Sequence, residues 1–165
     1  MRMRGLLIAL LLLLLSCGSP TAPRPVDTGW PTDPITIPST VSYVPSMSLV
    51  QNSTNEWLIY MRFTTTRTTP DSVLFRGCSF ATRLHRRSDL SDAPAWDTSP
   101  PAGFVCDSGP LQTFLVMPGT VDSMEFGGVA SAPWRPLPSG HFYVALAIRP
   151  GGQLTLVKVG TVDVP

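Results

Sequence analysis

The chain has 165 residues, 43% of them hydrophobic, and a formal net charge of +1 from 12 basic and 11 acidic side chains. That balance supplies no electrostatic footprint for nucleic acid, and the length suits one core with a tail rather than two domains. Eighteen prolines argue against a helical protein, because each removes an amide donor and breaks the helical ladder.

At the N-terminus, Met1-Arg2-Met3-Arg4 is a short positive region, and an uncharged run from Gly5 to Leu15 follows it. This run is too short for a spanning helix, which needs about 20 apolar residues, and it has the order of an export signal. Leu14-Leu15-Ser16-Cys17 resembles the lipobox of bacterial lipoproteins. The resemblance implies a signal peptide over residues 1–16, cleavage between Ser16 and Cys17, and a lipid anchor on the Cys17 thiol. Several acyl chains hold a protein durably where one binds only marginally. Gly18, in the position where Asp would favour retention at the inner membrane, points to the outer membrane in a Gram-negative host, facing periplasm or cell surface.

Residues 17–40 are expected to form the lipidated cysteine and a tether rich in Pro and Thr, since prolines recur at 20, 23, 25, 31, 34 and 38 with almost no apolar period. Such a segment favours extended polyproline II at about 3.1 Å per residue. Trp30 is the odd residue there, and it reads as a side chain lying on the folded domain.

Residues 41–165 read as that domain. Short apolar segments separated by turn signals predict strands at Val41–Val50, Glu56–Phe63, Val73–Leu84, Leu111–Met117, Val121–Phe126, His141–Ile148 and Leu154–Val164. A further short segment is Phe104-Val105-Cys106. Asn52 to Asn55, Pro70-Asp71, Pro118-Gly119, Pro138-Ser139-Gly140 and Gly151-Gly152 supply turns. In the second strand, Trp57, Ile59, Met61 and Phe63 share one parity and should face the core. In the third, Cys78, Phe80 and Leu84 share a face, with Arg83 and His85 on the other. Residues 88–103 read as a long irregular stretch. The fold class is therefore all-β, an antiparallel Ig-like sandwich of about seven or eight strands.

Of the three cysteines, Cys78 and Cys106 remain once Cys17 is acylated. An exported protein matures outside the reducing cytosol, so a Cys78–Cys106 disulfide is expected, worth roughly 3.5 kcal/mol on the chain-entropy reckoning. Metal binding by the thiols lacks partners, because neither His85 nor His141 has ligand spacing to a cysteine.

Cys78-Ser79-Phe80, Pro94-Ala95-Trp96-Asp97-Thr98-Ser99, Val116-Met117-Pro118-Gly119 with Phe126, and the run Leu137 to Val144 resemble the succession in Ig-like domains of the BsuPI type, the intracellular proteinase inhibitor family. The resemblance spans roughly residues 41–164 and implies a sandwich; its functional implication is proteinase inhibition. The cysteine pair departs from the family's pattern, and no inhibitory loop can be placed, so fold carries over better than activity.

No Gly-x-Ser-x-Gly elbow, metalloprotease helix, phosphate-binding loop or Cys-x-x-Cys motif occurs. His85 and His141 read as surface residues. Asp89, Asp92 and Asp97 lack the glycine and closing glutamate of a calcium loop, and Arg83, Arg86 and Arg87 are expected to pair locally. No catalytic residue, cofactor or metal is assigned. Trp96 and Trp134, each in a proline-bearing stretch, are candidate binding-loop aromatics for a protein or glycan partner, with lids over a sandwich end as the alternative. The expectation is a non-catalytic lipoprotein whose domain binds or spaces something at the cell envelope. A proteinase inhibitor and an envelope enzyme are the second and third readings.

Overall fold

The structure, a computed structural model, describes residues 30–50, 56–99, 109–130 and 135–165. The signal, Ser16, Cys17, most of the tether, the turn at Asn52–Asn55, the segment Phe104–Cys106 and Trp134 lie outside these residues.

The described residues form an antiparallel β-sandwich of nine strands without helix: β1 (Val41–Val50), β2 (Glu56–Thr65), β3 (Asp71–Phe75), β4 (Phe80–His85), β5 (Trp96–Asp97), β6 (Gln112–Val116), β7 (Asp122–Val129), β8 (Gly140–Ile148) and β9 (Thr155–Val164). One sheet has the order β1-β2-β7, the facing sheet β5-β4-β8-β9, and β3 pairs with β6 as a separate ribbon. Chain-adjacent strands thus change sheets between β2 and β4 and again between β7 and β8, the alternation of Ig-like sandwiches.

The expected parity of β2 holds. Ile59, Met61 and Phe63 are fully buried, with Trp57 half-buried against the same core. From the facing sheet, Leu84 of β4 and Phe142, Val144, Leu146 and Ile148 of β8 complete it. Phe80 meets Phe126 edge-on at 4.9 Å, tying β4 to β7 across the interior, and Phe63 lies 5.5 Å from Phe114 of β6. Aromatic pairs of this kind add about 0.5–1.5 kcal/mol beyond the area they bury.

The single strand expected over Val73–Leu84 is two strands in different sheets. A turn at Arg76–Ser79 separates them: the Ser79 amide donates to the Arg76 carbonyl, the Ser79 hydroxyl accepts from the Arg76 amide at 2.9 Å, and the same hydroxyl donates to the Pro34 carbonyl. β3 then pairs with β6, whereas β4 pairs with β5 and β8.

Residues 30–40, expected within the tether, lie on the sandwich. From Trp30 the chain is strapped to the sandwich: the Asp33 amide donates to the Cys78 carbonyl, Ile35 to Arg149, and Thr36 exchanges both backbone bonds with Leu74. Ile35 is 1% exposed. Two isoleucines among prolines, Ile35 and Ile37, are too short a periodic signal to mark this strap in the sequence.

Asp71, buried at the start of β3, closes the base of the sandwich. Its carboxylate accepts the Thr65 hydroxyl at 2.5 Å, the Thr40 hydroxyl at 2.8 Å and the half-exposed Arg67 guanidinium at 3.4 Å. The Thr65 hydrogen bond is the main cause holding its carboxyl below the ordinary range, against the opposing effect of burial. A folded value below the unfolded one gives stability that is present above the unfolded pKa and lost as pH falls through the folded one. The thermal midpoint of Asp71→Asn should therefore lie below that of the wild type at pH 7, with the gap narrowing below about pH 4. Melting curves from pH 7 to pH 2 check this.

Gly128 in β7 marks the closest approach in the first sheet. A Cβ built there would stand 2.3 Å from the Trp57 carbonyl oxygen, beside the register shift between Leu58 and Tyr60. Because the obstacle is backbone, Gly128→Ala should cost about 1–3 kcal/mol, read as a lowered urea midpoint with an unchanged slope.

Candidate functional site

Two surfaces bring polar side chains together. The first is the outer face of the four-stranded sheet. Its rows follow from the register: Arg83 opposite Ala145, His85 opposite Tyr143, and Tyr143 opposite Thr161. His85 is fully buried, against the surface position expected for it. Its Nδ1 lies 3.1 Å from the Asp92 carbonyl oxygen and 3.2 Å from the Asp92 carboxylate. Facing two acceptors, Nδ1 carries the proton. Burial works against the Asp92 charge, but the Arg86 amide, its own amide and His85 outweigh it and hold the carboxyl below its usual range.

Arg83 is likewise fully buried, so it does not belong to a surface basic cluster. It donates to the Trp30 carbonyl at 2.6 Å. Arg87 does pair locally, with Asp89. His141 is exposed as expected; its Nδ1 is 2.7 Å from Asp163, and its ring meets Tyr143 edge-on at 5.5 Å. Lys158 Nζ lies over the Tyr143 ring, 4.6 Å from its centroid. The sheet thus collects both histidines around Tyr143. Each is held by an aspartate, and no serine hydroxyl is hydrogen-bonded to either among the described residues. The arrangement ties the 86–92 loop and β9 to the sheet.

Trp96 is 2% exposed. It belongs to β5, inside the stretch read as irregular, and packs in the core while its Nε1 donates to the Arg135 carbonyl at 2.9 Å. A strand side chain buried in this way is not presented to a partner by a loop. Asp97 is buried beside it and is held by the Arg135 guanidinium, so it is not a solvated loop carboxylate. Cys78 is fully buried; Cys106 and Trp134 lie outside the described residues.

The second surface is the outer face of the three-stranded sheet. Alternation that sends Ile59, Met61 and Phe63 inward sends Tyr60 and Arg62 outward. Ser46 and Glu125 flank Tyr60 in one row, and Val44 and Ser123 flank Arg62 in the next. An open groove of about 290 Å³ lies here, lined by Ser46, Met47, Ser48, Tyr60, Arg62 and Ser123. Arg62 is exposed and has no hydrogen-bond or ion-pair partner among the described residues. None of these residues belongs to a motif. The sequence signal that could have found them is the polar parity of β2, opposite its core face.

Among the described residues no group of three or more His, Cys, Asp or Glu side chains is placed to hold a metal ion. No family's sequence profile, no curated protein and no solved structure matches this chain.

Proposed function

We propose that this protein is an envelope lipoprotein: residues 1–16 direct export, Cys17 carries the lipid, and the sandwich serves as a non-catalytic binding module held off the membrane by the intervening chain. The observation that carries the reading is the order of the first seventeen residues, a dibasic start, an uncharged leucine-rich run and Leu14-Leu15-Ser16-Cys17. A strap that begins at Trp30 leaves residues 18–29 as the tether, roughly 37 Å if extended as polyproline II. Disulfide pairing of Cys78 with Cys106 fits this assignment, because it leaves Cys17 as the one cysteine for acylation.

Mass spectrometry of the mature protein from host membranes tests the proposal. The N-terminal peptide should begin at Cys17 and carry the mass of a diacylglyceryl thioether. An N-terminal peptide starting elsewhere, or an unmodified Cys17, would remove the anchor from the account.

A further inference from the structure

The geometry points to the groove on the β1-β2-β7 face as a binding site for an anionic saccharide, one sugar unit bearing a carboxylate or phosphate. This inference rests on the reading of the domain as a binding module and names what it binds.

Four features of the groove converge on that chemistry. Arg62 presents an exposed guanidinium without a partner among the described residues, and its planar fork matches a carboxylate or phosphate in two-point geometry. Next to it on β2, two positions away on the same face, the half-buried Tyr60 offers a flat ring for the apolar face of a pyranose. Ser46, Ser48 and Ser123 surround the pair with hydroxyls that both donate and accept, as sugar hydroxyls require. At about 290 Å³ the groove lies at the small end of ligand sites, which run from roughly 300 Å³ upward, so it suits one unit of a longer polymer.

Peptide capture by strand addition is hindered at one of the two edges of this sheet, because β1 carries Pro45, which lacks an amide donor. A single arginine in a chain of net charge +1 does not make a nucleic-acid surface. Glu125 is an acidic neighbour, opposite Tyr60 in β7. It can accept from sugar hydroxyls on the side away from Arg62, and it opposes an anion placed too near.

The test is titration calorimetry on the mature chain with four probes of matched length: a uronic acid tetrasaccharide, a phosphorylated tetrasaccharide, a neutral glucose tetrasaccharide and a tetraglutamate peptide. One or both acidic saccharides should bind at least about tenfold more tightly than the neutral one and the peptide, and which of the two binds identifies the anion's source. Arg62→Gln and Tyr60→Ala should each weaken that binding about tenfold or more, whereas Glu125→Gln should leave it equal or tighter. All three side chains stand on the outer face, and melting curves verify that each variant folds. Absence of binding by both acidic saccharides, equal binding of the neutral saccharide or the peptide, or an unchanged affinity in Arg62→Gln would each overturn the site. These outcomes are separate from the fate of Cys17: a lipidated chain that binds no saccharide loses only the groove, and an unlipidated chain that binds one loses only the anchor.

Discussion

Trp96→Ala is expected to destabilise the domain by about 3–5 kcal/mol, the range for removing a buried tryptophan, and to lower the thermal midpoint by roughly 10 °C or more. The indole is 2% exposed and part of the core cluster, so truncation leaves a cavity between β5 and the sandwich interior. It also removes the Nε1 donor that holds the Arg135 carbonyl, and Arg135 in turn grips Asp97. Trp96→Phe separates the two effects. It keeps most of the apolar volume and loses the hydrogen bond, worth about 1 kcal/mol. A Trp96→Ala midpoint within a degree or two of the wild type would mean that the side chain is not in the core.

The second large effect is expected at Arg83. This side chain is completely buried on a sheet face that would ordinarily meet solvent, and it donates to the Trp30 carbonyl at 2.6 Å. Arg149 grips the neighbouring Pro31 carbonyl in the same way. Two guanidiniums thus anchor the first described residues of the strap. Arg83→Ala should cost at least about 2 kcal/mol, from loss of a charge-assisted hydrogen bond together with the packing of a long side chain. The strap should loosen before the sandwich does. Hydrogen exchange should accelerate at the Asp33 and Ile35 amides, which bond to Cys78 and Arg149, while Val144 and Leu146 in β8 stay protected. Arg83→Met restores volume without the donor. It should recover part of the midpoint but not the protection at Asp33, since replacing a buried charge by an apolar side chain of similar size is often tolerated. Equal protection of Asp33 and Ile35 in wild type and Arg83→Ala would contradict the strap's dependence on Arg83.

These two residues also show where the sequence was legible and where it was not. In β2 the alternation is clean, because one face meets the core and the other meets solvent, and its odd positions are legible as core. β4 has both faces covered, with Ala81 to His85 all buried. What covers its outer face comes from Trp30 and Asp92, segments distant in the chain or looped back, so Arg83 and His85 gave no local sign of burial. β8 carried a sign that could have been read: Val144-Ala145-Leu146-Ala147-Ile148 is an unbroken apolar run, the pattern of a strand buried on both sides. β5 is two residues long and lies between prolines, below the length at which period 2 can be detected. The β3–β4 break rests on Ser79 side-chain bonds to Arg76 and Pro34, which propensity alone does not announce.

The groove illustrates the converse. The alternation that puts Ile59 and Met61 inside leaves Tyr60 and Arg62 on the solvent face, yet only the pairing with β1 and β7 sets Ser46 and Ser123 beside them. Register, not composition, assembles that surface.

Detergent phase partitioning of wild type and Cys17→Ser, expressed in a bacterial host with the signal intact, tests the central claim most directly. The wild type should enter the detergent phase, and Cys17→Ser, lacking the acyl chains, should stay in the aqueous phase or remain as uncleaved precursor in the membrane. A Cys17→Ser protein that is processed to the same mature length and still partitions into detergent like the wild type would contradict that claim.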